Sequence, residues 1–147
     1  MNTIKVNAKK LNDRAILPKY GSAYAAGADL YSCEGEIVVP PHKTVFVHTG
    51  IAMEIPEGLV GLVYARSGLA CKRSLAPANK VGVIDSDYRG EIMVAIHNHG
   101  DEEQVVAEGE RVAQLVLTPY VAAEYEEVAE LSDTVRGTGG FGSTGTK

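Results

Sequence analysis

The chain has little cysteine, no excess of positive charge and no long apolar run. Only Cys33 and Cys71 occur among 147 residues, and their placement matches neither a zinc site nor a redox pair. The opening stretch MNTIKVNAKK has no apolar segment, and nothing downstream approaches the ~20 apolar residues of a membrane span. The expectation is a cytoplasmic protein with two reduced thiols and no membrane partner. A net charge of −5 argues against nucleic acid as the main partner, because polyanion binding leaves a basic footprint. It leaves room for a small anionic ligand held by a few placed arginines. No internal repeat and no interdomain linker is visible, and the length suits one domain with a real core.

What the chain does have is a series of short, β-branched, apolar runs separated by Gly, Pro and Asp. They include Ile37–Val39, Thr44–Val47, Ile51–Ile55, Leu59–Tyr64, Val81–Ile84, Glu91–Ile96 and Arg111–Leu117. Close spacing of this kind predicts an all-β sandwich or barrel. One short helix is expected from Ser67 to about Ser74, with Ser67 as its cap. Ala122–Leu131 reads as a further strand, although Val121, Tyr125 and Val128 also fit a helix face. From Ser132 onward the chain reads as a mobile arm, which divides it into residues 1–131 and 132–147.

That arm contains Arg136, Phe141 and several glycines. It cannot build a core, yet its parts suit a phosphorylated, flat-ringed ligand: arginine pairs with phosphate and an aromatic ring covers a base. A lid over a nucleotide is the natural reading. Its end, Gly140–Lys147, nearly spells a phosphate-binding P-loop. Thr146 stands where the lysine belongs, and no strand precedes it, so that motif is rejected.

Three further places carry chemistry, each beside a plainer account. Gly82–Glu91 reads as a hairpin with a charged turn, in which Asp85, Asp87 and Gly90 can be ordinary turn residues. An ionised carboxylate there can also take a proton from water, and the adjacent Tyr88 can stack on a sugar. Ala65–Ala70 places an arginine, a hydroxyl and free amides at a helix start, which is either an anion site or a cap with a solvated arginine. Gln114 lies within an apolar strand, as a buried amide or as a residue that positions ligand or water. His97 and His99 alternate on a strand, but without a third ligand they are better read as solvated than as a zinc site. Asp101–Glu103 reads as a solvated turn.

Together these pieces resemble the trimeric dUTP pyrophosphatase (dUTPase) family. The resemblance spans almost the whole chain and falls on five segments in the family's order: Ala26–Leu30, Ala65–Leu69, Gly82–Glu91, Gly109–Gln114 and Arg136–Gly145. It implies a jelly-roll, distorted β-barrel subunit in a homotrimer with active sites at subunit interfaces. The implied reaction is hydrolysis of dUTP to dUMP and pyrophosphate, by water attack on the α-phosphorus. That reaction lowers dUTP and supplies dUMP for thymidylate synthesis. Mg2+ is expected on the triphosphate with no direct protein ligand, and Asp29 is expected to touch the metal's waters. Carried over position by position, Asp85 looks like the base that activates water, with Gln114 as its helper. Tyr88 looks like the ring under the deoxyribose, and Asn79, Gly82, Val83 and Ile84 look like the uracil readers, with Met93 nearby. Arg66, Ser67 and Gly68 look like phosphate ligands. In the tail, Arg136 is expected on the γ-phosphate and Phe141 over the uracil, with Gly140, Ser143 and Thr144 adding contacts. Ala65 departs from the family's frequent proline, and Cys71–Ala78 lacks a common Gly-Ile pattern.

Two other functions compete. A dCTP deaminase of the same superfamily needs a glutamate where this chain has Ala95, as does a bifunctional deaminase–pyrophosphatase. A non-catalytic binding protein would have no use for Asp85, Arg66 and the tail together.

Overall fold

The computed structural model describes residues 3–143 and 145. Within them the strands are β1 (Asn7–Lys10), β2 (Lys19–Tyr20), β3 (Ala28–Tyr31), β4 (Ile37–Val39), β5 (Thr44–His48), β6 (Ile51–Glu54) and β7 (Leu59–Tyr64). A single helix, α1 (Ser67–Arg73), leads to β8 (Leu75–Pro77), β9 (Gly82–Ile84), β10 (Met93–Asn98), β11 (Gln104–Val106) and β12 (Arg111–Pro119). All pairings are antiparallel. They form sheets in the orders β1-β6, β5-β10-β8, β11-β4 and β2-β3-β12-β7-β9. The result is an all-β, jelly-roll type of distorted barrel with one short helix.

Alternation builds the core. Along β10, Val94, Ile96 and Asn98 point inward while Met93, Ala95 and His97 do not. They meet Val47, Ile51, Leu30 and Leu75, all nearly or fully buried. Asn98 is buried among them because its amide donates to Val39 O at 3.0 Å and Glu102 O at 2.8 Å, and its own oxygen accepts from Gly100 N–H at 2.9 Å. A buried amide with all these bonds made costs the fold little.

Three expectations are corrected. Ser67 is not the helix cap: Arg66 occupies that position in an extended conformation, no side chain caps it, and Ser67 is the first helical residue. Gly82–Glu91 does not join two paired strands. β9 pairs with β7, whereas β10 pairs with β5 and β8, so the intervening loop carries the chain from one sheet to another. Residues 122–131 form neither strand nor helix, and Val121, Tyr125 and Leu131 are almost fully exposed. Among the described residues no strand lies beside that segment to complete a ladder.

Candidate active site

The segment after β7 turns sharply into α1, and a polar network holds the turn. Asp29, on β3 and only 8% exposed, accepts Arg66 Nε at 2.8 Å on one oxygen and Arg111 Nη1 at 3.3 Å on the other. A buried carboxylate is tolerable because two guanidiniums offset its charge. A register shift between Arg111 and Ala113 sets Arg111 opposite Tyr31 and Gln114 opposite Asp29, so both flank the carboxylate. Gln114 donates from Nε2 to Ala65 O at 2.9 Å, fixing the carbonyl just before Arg66. Gly27 makes room for that amide, since a Cβ there would overlap Gln114 Oε1 and stand 3.1 Å from its Cβ. The far end of α1 is tied down by Arg73, which bonds Glu110 and Val105 O and reaches Gln104 Oε1 at 3.2 Å. Ser67 and Gly68 thus open a short helix anchored at both ends, and their amides have no partner within it. The turn forms with Ala65 and without the family's proline.

A second group lies along β9. Among the described residues this strand is the edge of its sheet, paired only with β7, so one side of its main chain has no strand partner there. Beside it is a cavity of about 200 Å3 lined by Asn79, Gly82, Val83, Ile84, Tyr88 and Met93, among others. Ala95 lines the same cavity. Tyr88 Oη donates to Glu91 O at 2.8 Å. The ring lies against Gly90, where a Cβ would come within 2.6 Å of Tyr88 Cζ. The loop is braced internally: Tyr88 N–H bonds Asp85 O at 3.2 Å, and Arg89 Nη1 donates to Ser86 O at 2.7 Å.

Asp85 is placed differently from the other loop residues. It lines the neighbouring recess with Asp87, Arg89, Leu59 and Tyr120, and Val83 borders both spaces. Arg66, Ser67, Gly68, Asp29 and Gln114 do not line the cavity of Asn79 and Tyr88. The two groups are nevertheless joined through β7: Tyr64 pairs with Gln114 on one side, and Val63 with Gly82 on the other. The tail stands apart. Arg136 Nε donates to Gly139 O at 2.8 Å, Gly139 N–H to Arg136 O at 3.1 Å, and Ser143 N–H to Gly140 O at 3.0 Å. Phe141 has φ of 51° and is fully exposed. Arg136, Gly140, Phe141 and Ser143 are therefore not brought to either group, and Thr144 lies outside the described residues.

His97 and His99 do meet, with ring centroids 4.5 Å apart. Thr44 Oγ1 lies 2.9 Å from His97 Nδ1. Burial, then the nearby His97, Lys80 and His42, hold the His99 pKa below the usual histidine value. Both cysteines are free.

Comparison with known proteins gives these arrangements a context. The dUTPase family model matches residues 13–145. The chain is 51% identical over 146 residues to the deoxyuridine 5'-triphosphate nucleotidohydrolase of Syntrophotalea carbinolica, covering 99% of both proteins. It is 46% identical over 144 residues to the protein of the same name from a Hydrogenobaculum species, covering 98% of this chain and 100% of that one. Its fold is similar to that of a mutant dUTPase of Staphylococcus bacteriophage 80alpha, solved with dUpNHpp. The TM-score is 0.90 at 30% identity, covering 98% of this chain and all of that one. It is also similar to a mutant dUTPase from phage phi11 of S. aureus, described with a structural Mg(II) ion. There the TM-score is 0.79 at 27% identity, over 86% of this chain and 98% of that one. The chain belongs to the dUTPase family.

Proposed function

We infer that this chain hydrolyses dUTP to dUMP and pyrophosphate. The observation that carries the reading is the cavity along the free edge of β9, lined in part by Tyr88 lying against Gly90. Main-chain donors and acceptors on an unpaired strand edge can imitate a base-pairing partner, and the side-chain amide of Asn79 adds to them. Met93, Val83 and Ile84 line the same cavity and would pack around a pyrimidine ring. Tyr88 backs the deoxyribose and crowds out a 2′-hydroxyl. Arg66, Ser67 and Gly68 hold the phosphate chain, with Asp29 keeping Arg66 extended. Asp85 accepts the proton of the attacking water, and Gln114 steadies that water or the α-phosphate. Arg136, Gly140, Phe141, Ser143 and Thr144 close over the bound nucleotide as a lid of residues 132–147, excluding bulk water.

Mg2+ enters with the substrate. Among the described residues, no group of three or more His, Cys, Asp or Glu is arranged to hold a metal. The donors do fit an ion carried by the triphosphate: each Asp29 oxygen accepts one arginine bond, which leaves a lone pair to meet a metal-bound water. When bound, the ion offsets charge building on the phosphate oxygens and the departing pyrophosphate.

The active site is completed by a homotrimer. The arginine group and the β9 cavity do not share one lining within the chain, so each can serve a neighbour's partner group. Exposed apolar residues support association: Ile4, Leu17 and Tyr20 border a mostly apolar hollow, with Met53 and Leu117 beneath. An exposed surface of this kind marks an interface. The enzyme works in the cytoplasm, and no helix among the described residues is long and apolar enough to cross a membrane.

Hydrolysis in water enriched in heavy oxygen tests the site of attack. The label is expected in dUMP, because water attacks the α-phosphorus. Label confined to pyrophosphate would overturn that step.

A further inference from the structure

Glu91 touches two spaces at once. It lines the β9 cavity together with Tyr88, and it lines a separate recess with His48, Glu34, Asp13 and Arg14. Both of its carboxylate oxygens are engaged. Oε1 accepts Gly50 N–H at 2.8 Å, and Oε2 lies 2.8 Å from His48 Nδ1. Its main-chain carbonyl is the acceptor for Tyr88 Oη. One residue therefore grips the barrel with its side chain and the tyrosine with its backbone.

The barrel side of this grip is stiff. Gly50 sits in the β5–β6 turn at φ +65°, where a Cβ would come 2.9 Å from Ala15 Cβ. Thr49, fully buried, donates to Ile92 O at 2.6 Å, and Ile92 N–H donates to Ile51 O at 2.8 Å. The returning limb of the loop is thus stitched to this turn over two consecutive residues. Gly90, the residue before Glu91, is the floor on which the Tyr88 ring rests.

We propose that Glu91, latched by Gly50 and His48, is a positioning residue that sets the plane of Tyr88 and so the enzyme's rejection of ribonucleotides. The inference rests on the reading of Tyr88 as the wall beneath the sugar. Tyr88 has two χ angles to fix. The Glu91 carbonyl fixes one end of the side chain and Gly90 its face, so a loose Glu91 lets the ring tilt and admits a 2′-hydroxyl.

His48 makes the latch sensitive to pH. Its surroundings are mainly acidic: Glu91 faces it from the loop, Glu34 from the β3–β4 connection, and Asp13 and Arg14 from the segment after β1, with Arg14 paired to Glu108 at 3.5 Å. Glu34 Oε2 also accepts His48 N–H at 3.0 Å. The hydrogen bond to Glu91 raises the His48 pKa above 6.5; partial burial opposes this, and the charges of Glu91 and Glu34 add to it. The sign follows. The stabilising charge pair is fully present below the unfolded histidine value and fades as pH rises through the raised folded value.

The test is kcat/KM for dUTP and for UTP from pH 6 to 9, in the wild type, Glu91→Ala, Glu91→Gln, His48→Gln and Tyr88→Ala. In the wild type, the preference for dUTP should be strongest at pH 6 and should decline toward pH 9. Glu91→Ala should lower it about 10-fold at pH 6, with the dUTP loss falling on KM rather than kcat. Glu91→Gln still accepts from Gly50, so it should recover most of the preference while losing its pH dependence. His48→Gln, altered at a partly exposed side chain, should show the same flat profile, and it serves if Glu91→Ala does not fold. A wild-type preference and profile in folded Glu91→Ala, or in His48→Gln, would overturn the latch. If Tyr88→Ala leaves the preference intact, the sugar-wall reading itself fails and the latch falls with it. If Tyr88→Ala abolishes the preference while the Glu91 variants keep it, the latch alone is wrong.

Discussion

At the scale of single residues, few groups carry the proposed chemistry and many others hold them in place. Asp85→Asn removes the proton acceptor while keeping size and shape. Turnover should fall at least ~100-fold, while calorimetric titration with a non-hydrolysable dUTP analogue shows binding near that of the wild type. Near-normal turnover would refute the role. Gly27→Ala tests support rather than chemistry. The new methyl would occupy the space of Gln114 Oε1, so either the amide or the strand must shift. We expect a 10- to 100-fold loss in kcat, on the order of 1–3 kcal/mol, with a smaller change in KM. Asp85, Tyr88, Arg66 and Gln114 could be singled out because each lies in a short local motif, and their proposed roles came with the resemblance. Glu91, His48, Arg111 and Gly27 were not given roles, because their meaning lies in partners far along the chain. Arg111 and Asp29 are 82 residues apart, and Glu91 and His48 are 43. A partner glutamate for His48 cannot be read from a periodicity.

At the scale of elements, strands with one buried face announced themselves. β7, β10 and β12 carry apolar residues in runs that the strand period sorts inward. β1 did not: its Asn-Ala-Lys-Lys is exposed throughout and is a strand only because β6 lies beside it. β3 was hidden by Asp29, a carboxylate inside an otherwise apolar run, and β8 by Pro77, which sits where a ladder donor is expected. Pairing was harder to read than strand identity. β9 and β10 are consecutive strands, yet they belong to different sheets. The tail supplies the test at this scale. The hydrogen bonds of Arg136, Gly137, Gly139 and Ser143 are all made within the tail. Ending the chain after Val135 should therefore leave thermal unfolding unchanged within about 2 °C and the oligomer intact, while hydrolysis falls at least ~10-fold. Loss of folding on truncation would mean that the tail is structural and not a lid.

At the scale of the whole molecule, the barrel is a frame that carries the two residue groups on adjacent strands and leaves apolar residues such as Ile4, Leu17 and Tyr20 exposed. The five-stranded sheet carries most of the proposed site: β3 holds Asp29, β7 leads to Arg66, β9 holds the proposed uracil readers and β12 holds Gln114. The modest negative charge fits the proposal that local arginines, and not a basic face, meet the anionic substrate. The central claim is that this frame selects uracil on deoxyribose and releases pyrophosphate from it. The most direct measurement is product release from dUTP, dCTP, dTTP and UTP, each with and without Mg2+. The account predicts Mg2+-dependent pyrophosphate from dUTP, with the other three slower by orders of magnitude. Ammonia released from dCTP without pyrophosphate, or tight dUTP binding with no turnover, would contradict it.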